Sequence, residues 1–108
     1  MPVRSVSPNE LSAMNAAEPR PLIIDVRTEN ERSSFGWIDG SISIAQQGIA
    51  QFLQHTPPDR EALIIIVCQT GARSAAAARQ FAEAGYTNIG DLSGGMLSWM
   101  LRRLPVRR

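Results

Sequence analysis

Cys68 is the only cysteine in the chain of 108 residues. It opens a segment that lies between an apolar run and an alanine-rich stretch, with the sequence Cys68-Gln69-Thr70-Gly71-Ala72-Arg73-Ser74. A turn that enters a helix directs free backbone N–H groups, and the positive end of the helix dipole, towards one point. A thiol, backbone donors and a cation together predict a nucleophilic cysteine at the lip of an anion pocket.

Each residue of this segment has an expected part in the pocket. Gly71 allows the backbone torsions of a tight turn, and Arg73 adds a charged fork of donors that suits oxyanions. Ser74 either has a structural role, as a cap of the helix or a residue of its first turn, or bonds the sulfur. Gln69 and Thr70 are expected to line the pocket through their backbone N–H groups. Ala72 belongs to the same loop. Two structural alternatives stay open, an inert buried Cys68 and an Arg73 paired with an acid on the helix surface.

The surroundings of Cys68 favour its reactive form. Helix N-termini and nearby cations lower the pKa of a thiol from about 8.5 to about 3.5–7.5. We therefore expect a thiolate near neutral pH, which could attack without a general base. The same N–H groups would stabilise the terminal sulfur of a persulfide. The single histidine, His55, lies in a polar segment beside Pro57, and we do not expect it to act as a base.

The elements around this segment alternate as in an α/β domain. Residues 63–68 are apolar throughout, so we predict that they form the central strand. The other strands are predicted at residues 3–6, 22–26, 42–44 and 88–92. Helices are predicted at residues 8–17, 28–36, 48–55, 73–84 and 96–101. Ser7 with Glu10 and Thr28 with Glu31 have the capping-box spacing that begins a helix, Gly85 ends the fourth helix, and Gly94 with Gly95 predicts a turn.

Composition limits the classes of protein that fit. With 44% hydrophobic residues, the chain can bury the core of one domain. One cysteine excludes an intramolecular disulfide and a thiolate-rich metal site, and we predict neither a metal nor another cofactor. The N-terminus lacks the apolar run of a signal peptide, and the longest apolar stretch, residues 62–68, is far shorter than the roughly 20 residues that span a bilayer. We therefore expect a cytoplasmic protein that binds no membrane.

The charge of the chain is unevenly distributed. All eleven basic residues are arginines and the net charge is +1, but the last seven residues contain Arg102, Arg103, Arg107 and Arg108. We divide the chain into a domain at residues 1–101 and an Arg-rich tail at residues 102–108. Without interleaved aromatic residues, the tail is predicted to be solvated and not to bind nucleic acid.

Four landmarks resemble the rhodanese-like domain family. The strand-Cys-x-x-Gly-x-Arg-Ser-helix unit is similar to the active-site loop of that family. Residues 22–27 with Glu31 resemble its hydrophobic-Asp-Val-Arg…Glu signature, and residues 85–89 resemble its Gly-Tyr-x-x-Val segment. Residues 92–96 with Trp99 resemble its closing Leu-x-Gly-Gly-x-x-x-Trp pattern. One departure is Trp37, which stands where the family often has a histidine that is not the nucleophile.

The resemblance implies a five-stranded parallel sheet flanked by helices on both faces. It also implies a ping-pong reaction in which Cys68 takes a sulfane sulfur from a donor such as thiosulfate, and sulfite leaves. Because the chain has no second cysteine, the sulfur must pass to an external acceptor, which is cyanide or a small or protein thiol. Asp25 and Arg27 are expected to support the loop through hydrogen bonds, and Trp99, Tyr86 and Phe81 to lie in the core.

Two other functions stay open. A non-catalytic rhodanese-like module would bind or regulate a partner, but such modules can dispense with both Cys68 and Arg73, which this chain retains. The second is an anion enzyme of the phosphatase or arsenate-reductase type. Relatives that resemble cell-cycle phosphatases have five residues between the catalytic cysteine and arginine, whereas four intervene here, residues 69–72. The shorter loop favours sulfur over phosphorus.

Overall fold

A computed structural model describes residues 3–108, so Met1 and Pro2, which begin the segment used to argue against a signal peptide, lie outside the described residues. The strands are β1 (Val3–Val6), β2 (Leu22–Asp25), β3 (Ile42–Ser43), β4 (Ile64–Val67) and β5 (Ile89–Leu92). The helices are α1 (Pro8–Asn15), α2 (Glu29–Phe35), α3 (Ile49–His55), α4 (Ala72–Glu83) and α5 (Gly95–Leu101), and a 3₁₀ turn at Gln46–Gly48 leads into α3.

The five strands form one parallel sheet in the order β1-β5-β4-β2-β3. The strand β4 is central, as predicted, and all four of its residues are buried. A parallel strand covered on both faces needs apolar side chains on each side, which the run of isoleucine and valine supplies. Because all strands run the same way, the residues that follow β2, β4 and β5 come together at one edge of the sheet.

Helices cover both faces, which confirms the predicted layers. The helices α3 and α4 pack on one face through a core that includes Ile66, Phe81 and Tyr86. The helices α1 and α5 pack on the other face through a core that includes Leu11 and Trp99. The three aromatic residues predicted for the core are buried, as expected. No helix of residues 3–108 is long and apolar enough to cross a membrane.

Two helices begin with the predicted capping boxes. Ser7 Oγ accepts the Glu10 N–H at 3.1 Å, and Glu10 Oε1 accepts the Ser7 N–H at 2.8 Å. The same exchange joins Thr28 and Glu31 at 3.2 and 3.0 Å. The helix α1 ends at Asn15, before the predicted residue 17. These reciprocal bonds satisfy N–H groups that have no partner inside the helix, and the second box places Glu31 near the loop after β4.

The C-terminal segment, residues 102–108, has solvated arginine side chains, as predicted, but its backbone is docked on the domain, which was not predicted. Its backbone pairs with Trp37, since the Arg107 N–H donates to the Trp37 carbonyl at 2.7 Å and the Trp37 N–H donates back at 2.9 Å. Leu104 and Val106 pack against the core beside α1 and α5. The four arginine side chains remain exposed. The packing of Leu104 and Val106 and the backbone hydrogen bonds with Trp37 therefore hold this segment on the domain, although it carries four charged side chains.

Candidate active site

Cys68 directly follows β4, and its side chain is only 1% exposed. The sequence placed it at the lip of an anion pocket, and the structure instead places it at the floor of the loop. Its Sγ accepts the Gly71 N–H at 2.9 Å and lies 3.3 Å from Ser74 Oγ. A backbone N–H at a helix N-terminus and a neighbouring hydroxyl are groups that can stabilise a sulfur anion.

Gly71 shapes the turn that aims its own N–H at the sulfur. It is the N-cap of α4 and has φ 114° and ψ −15°, a region that residues with a Cβ rarely adopt. With this conformation the chain turns from β4 into α4 within four residues after Cys68. The N-terminus of α4, a helix of 12 residues, therefore faces the thiol, as predicted.

The loop is also held from its other side by the start of α5. The Met96 N–H donates to the Cys68 carbonyl at 2.8 Å, and the Leu97 N–H donates to the Gln69 carbonyl at 2.9 Å. A Cβ on Gly95 would lie 2.5 and 2.6 Å from those two carbonyl oxygens, so only glycine permits this approach. Sequence reasoning took the two glycines as a turn and missed their support of the loop. The signal was their position immediately before a helix.

Asp25 and Arg27 form a buried pair beneath the loop. The Arg27 Nη2 donates to Asp25 Oδ2 at 2.8 Å and to the Gly36 carbonyl at 2.7 Å. Its Nη1 donates to Gln69 Oε1 at 3.0 Å. This arginine therefore connects β2, the end of α2 and the active-site loop. Gln69 supports the loop through its side chain, the less expected of its two roles, and through its carbonyl, which accepts the Leu97 N–H.

Arg73 pairs with Glu31 through two parallel hydrogen bonds, each 2.7 Å long. These bonds, against a smaller opposing effect of burial, lower the pKa of Glu31 to about 2. The pKa of Arg73 is raised, first by Glu31 and further by the negative charge that Cys68 can carry. Arg73 is therefore paired with an acid, as the structural alternative predicted. Its positive charge still acts on Cys68. Glu31 was expected only as a cap and a family landmark.

Ser74 is completely buried and lies between the sulfur and a carboxylate. Its Oγ is 3.3 Å from Cys68 Sγ, 3.2 Å from the Gly71 carbonyl oxygen and hydrogen-bonded to Asp91 Oδ1. Asp91 lies on β5, where burial raises its pKa and the bond from Ser74 opposes that rise. Ser74 lies in the first turn of α4 and contacts the sulfur, so its structural and its functional alternatives are both present. Sequence reasoning missed Asp91, because no motif marks it.

The remaining candidate residues lie at the periphery. Thr70 and Ala72 are exposed, and so is His55 at the end of α3. Trp37 is half-buried, and its ring lies 5.2 Å from the guanidinium carbon of Arg32. Arg32 in turn lies 3.3 Å from Asp25. The replacement of histidine by tryptophan therefore acts on packing beside the buried pair.

Two cavities lie away from the loop. One of about 310 Å³ lies between α1, α5 and the C-terminal segment, and one of about 460 Å³ lies near the start of β4. Neither is lined by a residue of the segment 68–74. Among residues 3–108, no group of three or more His, Cys, Asp or Glu side chains could hold a metal ion. The candidate site is therefore identified by the thiol and its hydrogen-bonding partners, and not by the volume of a cavity.

Comparisons with known proteins identify the family of the chain. A model of the rhodanese-like domain matches residues 7–102. The chain is 29% identical to a sulfurtransferase of Allochromatium vinosum over 96% of its own length and 94% of the relative. It is 30% identical to the thiosulfate sulfurtransferase GlpE of Shewanella oneidensis, over 89% and 91% of the two chains. The human single-domain sulfurtransferase TSTD1 superposes with a TM-score of 0.84 at 26% identity, over 94% and 98%. With a family match over most of its length and the loop that the family motif predicts, the chain belongs to the rhodanese-like domain family.

Proposed function

We propose that the protein is a thiosulfate-type sulfurtransferase that forms a persulfide on Cys68 and passes the sulfur to an external thiol or to cyanide. The observation that carries the proposal is the position of Cys68 Sγ, 2.9 Å from the Gly71 nitrogen at the N-terminus of α4. The relatives named as sulfurtransferases support the same class of reaction.

The first half of the reaction is a displacement at sulfur. The Cys68 thiolate attacks the outer sulfur of thiosulfate, a new S–S bond forms, and the bond to the sulfonate sulfur breaks. Sulfite leaves with that electron pair. The backbone donors of the loop stabilise the negative terminal sulfur of the persulfide, since preformed N–H groups need no reorganisation when the charge moves onto that atom.

The second half regenerates the thiolate. An external nucleophile attacks the terminal sulfur, takes it as a persulfide or as thiocyanate, and returns the electron pair to Cys68. No other cysteine exists in the chain to accept the sulfur. The acceptor therefore has to approach the floor of the loop, past the exposed residues Thr70 and Ala72. A reducing compartment such as the cytoplasm, which keeps thiols available, stays our prediction for its location.

The loop also supports sulfur chemistry over phosphoryl transfer. Four residues separate Cys68 from Arg73, and the Arg73 guanidinium is occupied by Glu31 at 2.7 Å. A phosphate monoester needs several donors around the transferred tetrahedral group throughout the reaction, whereas sulfite departs in sulfur transfer and leaves one terminal sulfur to be supported. We expect sulfur transfer from thiosulfate to exceed hydrolysis of p-nitrophenyl phosphate by the same preparation.

Mass spectrometry of the intact protein tests the proposal. After treatment with thiosulfate, the wild-type protein should gain one sulfur atom, and cyanide should remove it as thiocyanate. The Cys68→Ser variant should gain none, whereas Ser93→Ala, an exposed change before α5, should behave like the wild type. A sulfur adduct on Cys68→Ser, or a wild-type protein that gains none from any sulfane donor, would contradict the proposal.

A further inference from the structure

Three side chains from different elements form a continuous line at the base of the loop. Cys68 follows β4, Ser74 lies in the first turn of α4, and Asp91 lies on β5. Ser74 Oγ is 3.3 Å from Cys68 Sγ and is hydrogen-bonded to Asp91 Oδ1. In the sheet, Asp91 is level with Ile66, two residues before Cys68. The sulfur and the carboxylate are thus joined by a single buried hydroxyl.

The number of protons in this line limits its arrangements. A serine hydroxyl donates one hydrogen bond and accepts others. When Asp91 is ionised, the carboxylate is the stronger acceptor and takes the Ser74 proton. The serine oxygen can then accept from Cys68 if the sulfur is a thiol, which is the arrangement that the 3.3 Å contact fits. When Asp91 carries a proton, it donates to Ser74, and Ser74 can donate to a Cys68 thiolate. The proton is thus on Cys68 in the first arrangement and on Asp91 in the second, and the same two contacts of Ser74 serve both.

We propose that Cys68 and Asp91 share one proton through Ser74, so that the thiolate forms while Asp91 retains the proton. The thiol proton moves to Ser74 Oγ, and the proton of Ser74 moves to Asp91 Oδ1. Asp91 is therefore a positioning residue that acts on the nucleophile through Ser74. The proposal deepens the proposed function, because it names the group that receives the proton when the nucleophile forms.

The partial burial of Asp91 supports this arrangement. Burial disfavours the charged form of a carboxyl group and raises its pKa. In the sheet, Asp91 lies beside Ser5 on β1 and Ile66 on β4, and its carboxylate contacts Ser74 on α4. None of these three carries a charge, and the one that favours the ionised form is Ser74, through its hydrogen bond. Burial therefore lowers the free energy needed to keep a proton on Asp91.

The charges around Cys68 do not replace this partner. On one side is Arg73, whose charge is offset by Glu31 at 2.7 Å. On the other is Asp25, which is paired with Arg27 at 2.8 Å and with Arg32 at 3.3 Å. Both arginine clusters therefore already have carboxylate partners, and the closest carboxylate to the sulfur through a hydrogen-bonded side chain is Asp91. A protonated Asp91 also removes one negative charge from the approach of a thiosulfate dianion.

The proton is conserved over the catalytic cycle. Asp91 keeps it while the thiolate attacks, while sulfite leaves with its electron pair, and while the persulfide anion exists. It also keeps it while the acceptor removes the outer sulfur and the Cys68 thiolate returns. The free enzyme can then move the proton back along Ser74 to restore the thiol. No oxidant, metal or additional proton donor enters these steps.

The test is the rate at which iodoacetamide alkylates Cys68 as a function of pH, which needs no sulfur transfer. The wild-type profile should be broader than a single titration, because two groups share the proton. Asp91→Asn should give one titration with its midpoint lowered by about 1 pH unit, since a negative charge is removed and the amide N–H donates to Ser74. Below the midpoint, its alkylation should be up to about tenfold faster than that of the wild type.

The double variant isolates the part played by Ser74. In a Ser74→Ala background, Asp91→Asn should shift the midpoint by less than a third of its effect in the wild type. Asp59→Asn makes the same change in charge in the turn before β4, at the opposite end of that strand from Cys68, and should leave the profile unchanged. Asp91→Ser gives a second removal of the carboxylate if Asp91→Asn does not fold.

Two results would overturn the proposal. One is an unchanged midpoint in the folded Asp91 variant, and the other is an equal shift with and without Ser74. Persulfide formation is measured separately by mass spectrometry. A protein that shows the predicted alkylation profiles but gains no sulfur would retain the shared proton and lose the proposed function. A protein that gains a sulfur but lacks the predicted alkylation profiles would retain the proposed function and lose the shared proton.

Discussion

Two arginine–carboxylate pairs flank the active-site loop, and they differ in their exposure to solvent. The side chains of Arg27 and Asp25 are 0% and 1% exposed. Those of Arg73 and Glu31 are 34% and 25% exposed. The shortest N–O distances are nearly the same, 2.8 and 2.7 Å. Geometry alone would therefore rank the two pairs as equals, and burial separates them.

Burial assigns the two pairs different tasks. A buried charge is stable only when its hydrogen bonds are complete, and Arg27 bonds Asp25, Gln69 and the Gly36 carbonyl. That pair holds the scaffold. The Arg73 guanidinium uses one face of its fork on Glu31 and is reached by water. We therefore infer that the buried pair contributes mainly to folding stability and the rim pair mainly to the electrostatics of catalysis.

The largest expected effect is that of Arg27→Met on stability. Removing the arginine leaves Asp25 buried, with Arg32 at 3.3 Å as its remaining salt-bridge partner, and should lower the free energy of unfolding by about 3–5 kcal/mol. Urea denaturation followed by circular dichroism measures the change. Arg73→Met, the matched change at the rim, should lower it by about 1 kcal/mol or less. Equal losses in the two variants would remove the distinction between the pairs.

The next effect concerns turnover and belongs to the rim pair. Arg73→Met should reduce kcat/KM for thiosulfate about tenfold, or about 1.4 kcal/mol, because it removes a positive charge that acts on Cys68 and on an anionic donor. Arg79→Met, at an exposed position on the same helix, is the control and should keep wild-type turnover. An Arg73→Met enzyme with unchanged kinetics would show that the rim arginine serves structure alone.

The smallest effect is the contribution of Glu31 to stability, and it depends on pH. Its pKa in the folded protein is about 2, below the ordinary value of 4.5, chiefly because Arg73 donates two hydrogen bonds to it. The stabilisation is therefore complete above about pH 4.5 and is lost as the pH falls towards 2. Glu31→Gln should lower stability at pH 7 by about 1 kcal/mol, and this difference should shrink below pH 4.5.

Glutamine also suits a capping box, so Glu31→Gln isolates the bond to Arg73. Glu10→Gln makes the same change in the other capping box, where no arginine forms a bidentate pair, and should have a smaller effect. Urea denaturation at several pH values compares the three proteins. A stability difference for Glu31→Gln that stays constant from pH 7 to pH 3 would show that ionisation of this carboxyl group is not what stabilises the fold.

Much of the fold was predictable because its signals are local. The apolar run of β4, the two capping boxes and the glycine at 85 each act within a few residues. The strand, helix starts and helix end that they predict are present. The C-terminal segment was not predictable in this way. Its charges are visible in sequence, whereas the core surface that accepts Leu104 and Val106 exists only after α1 and α5 have packed.

By itself, the sequence determined the α/β class, the position of the loop and the identity of the lone thiol at its start. Tertiary structure decided which side chains surround that thiol. Arg73 and Glu31 are 42 positions apart, as are Arg27 and Gln69, and Ser74 and Asp91 are 17 apart. Such pairs leave no periodic trace, because they form only when parallel strands bring their carboxyl ends to one edge. Local chemistry therefore specified the nucleophile, and the folded sheet supplied the partners that control its charge.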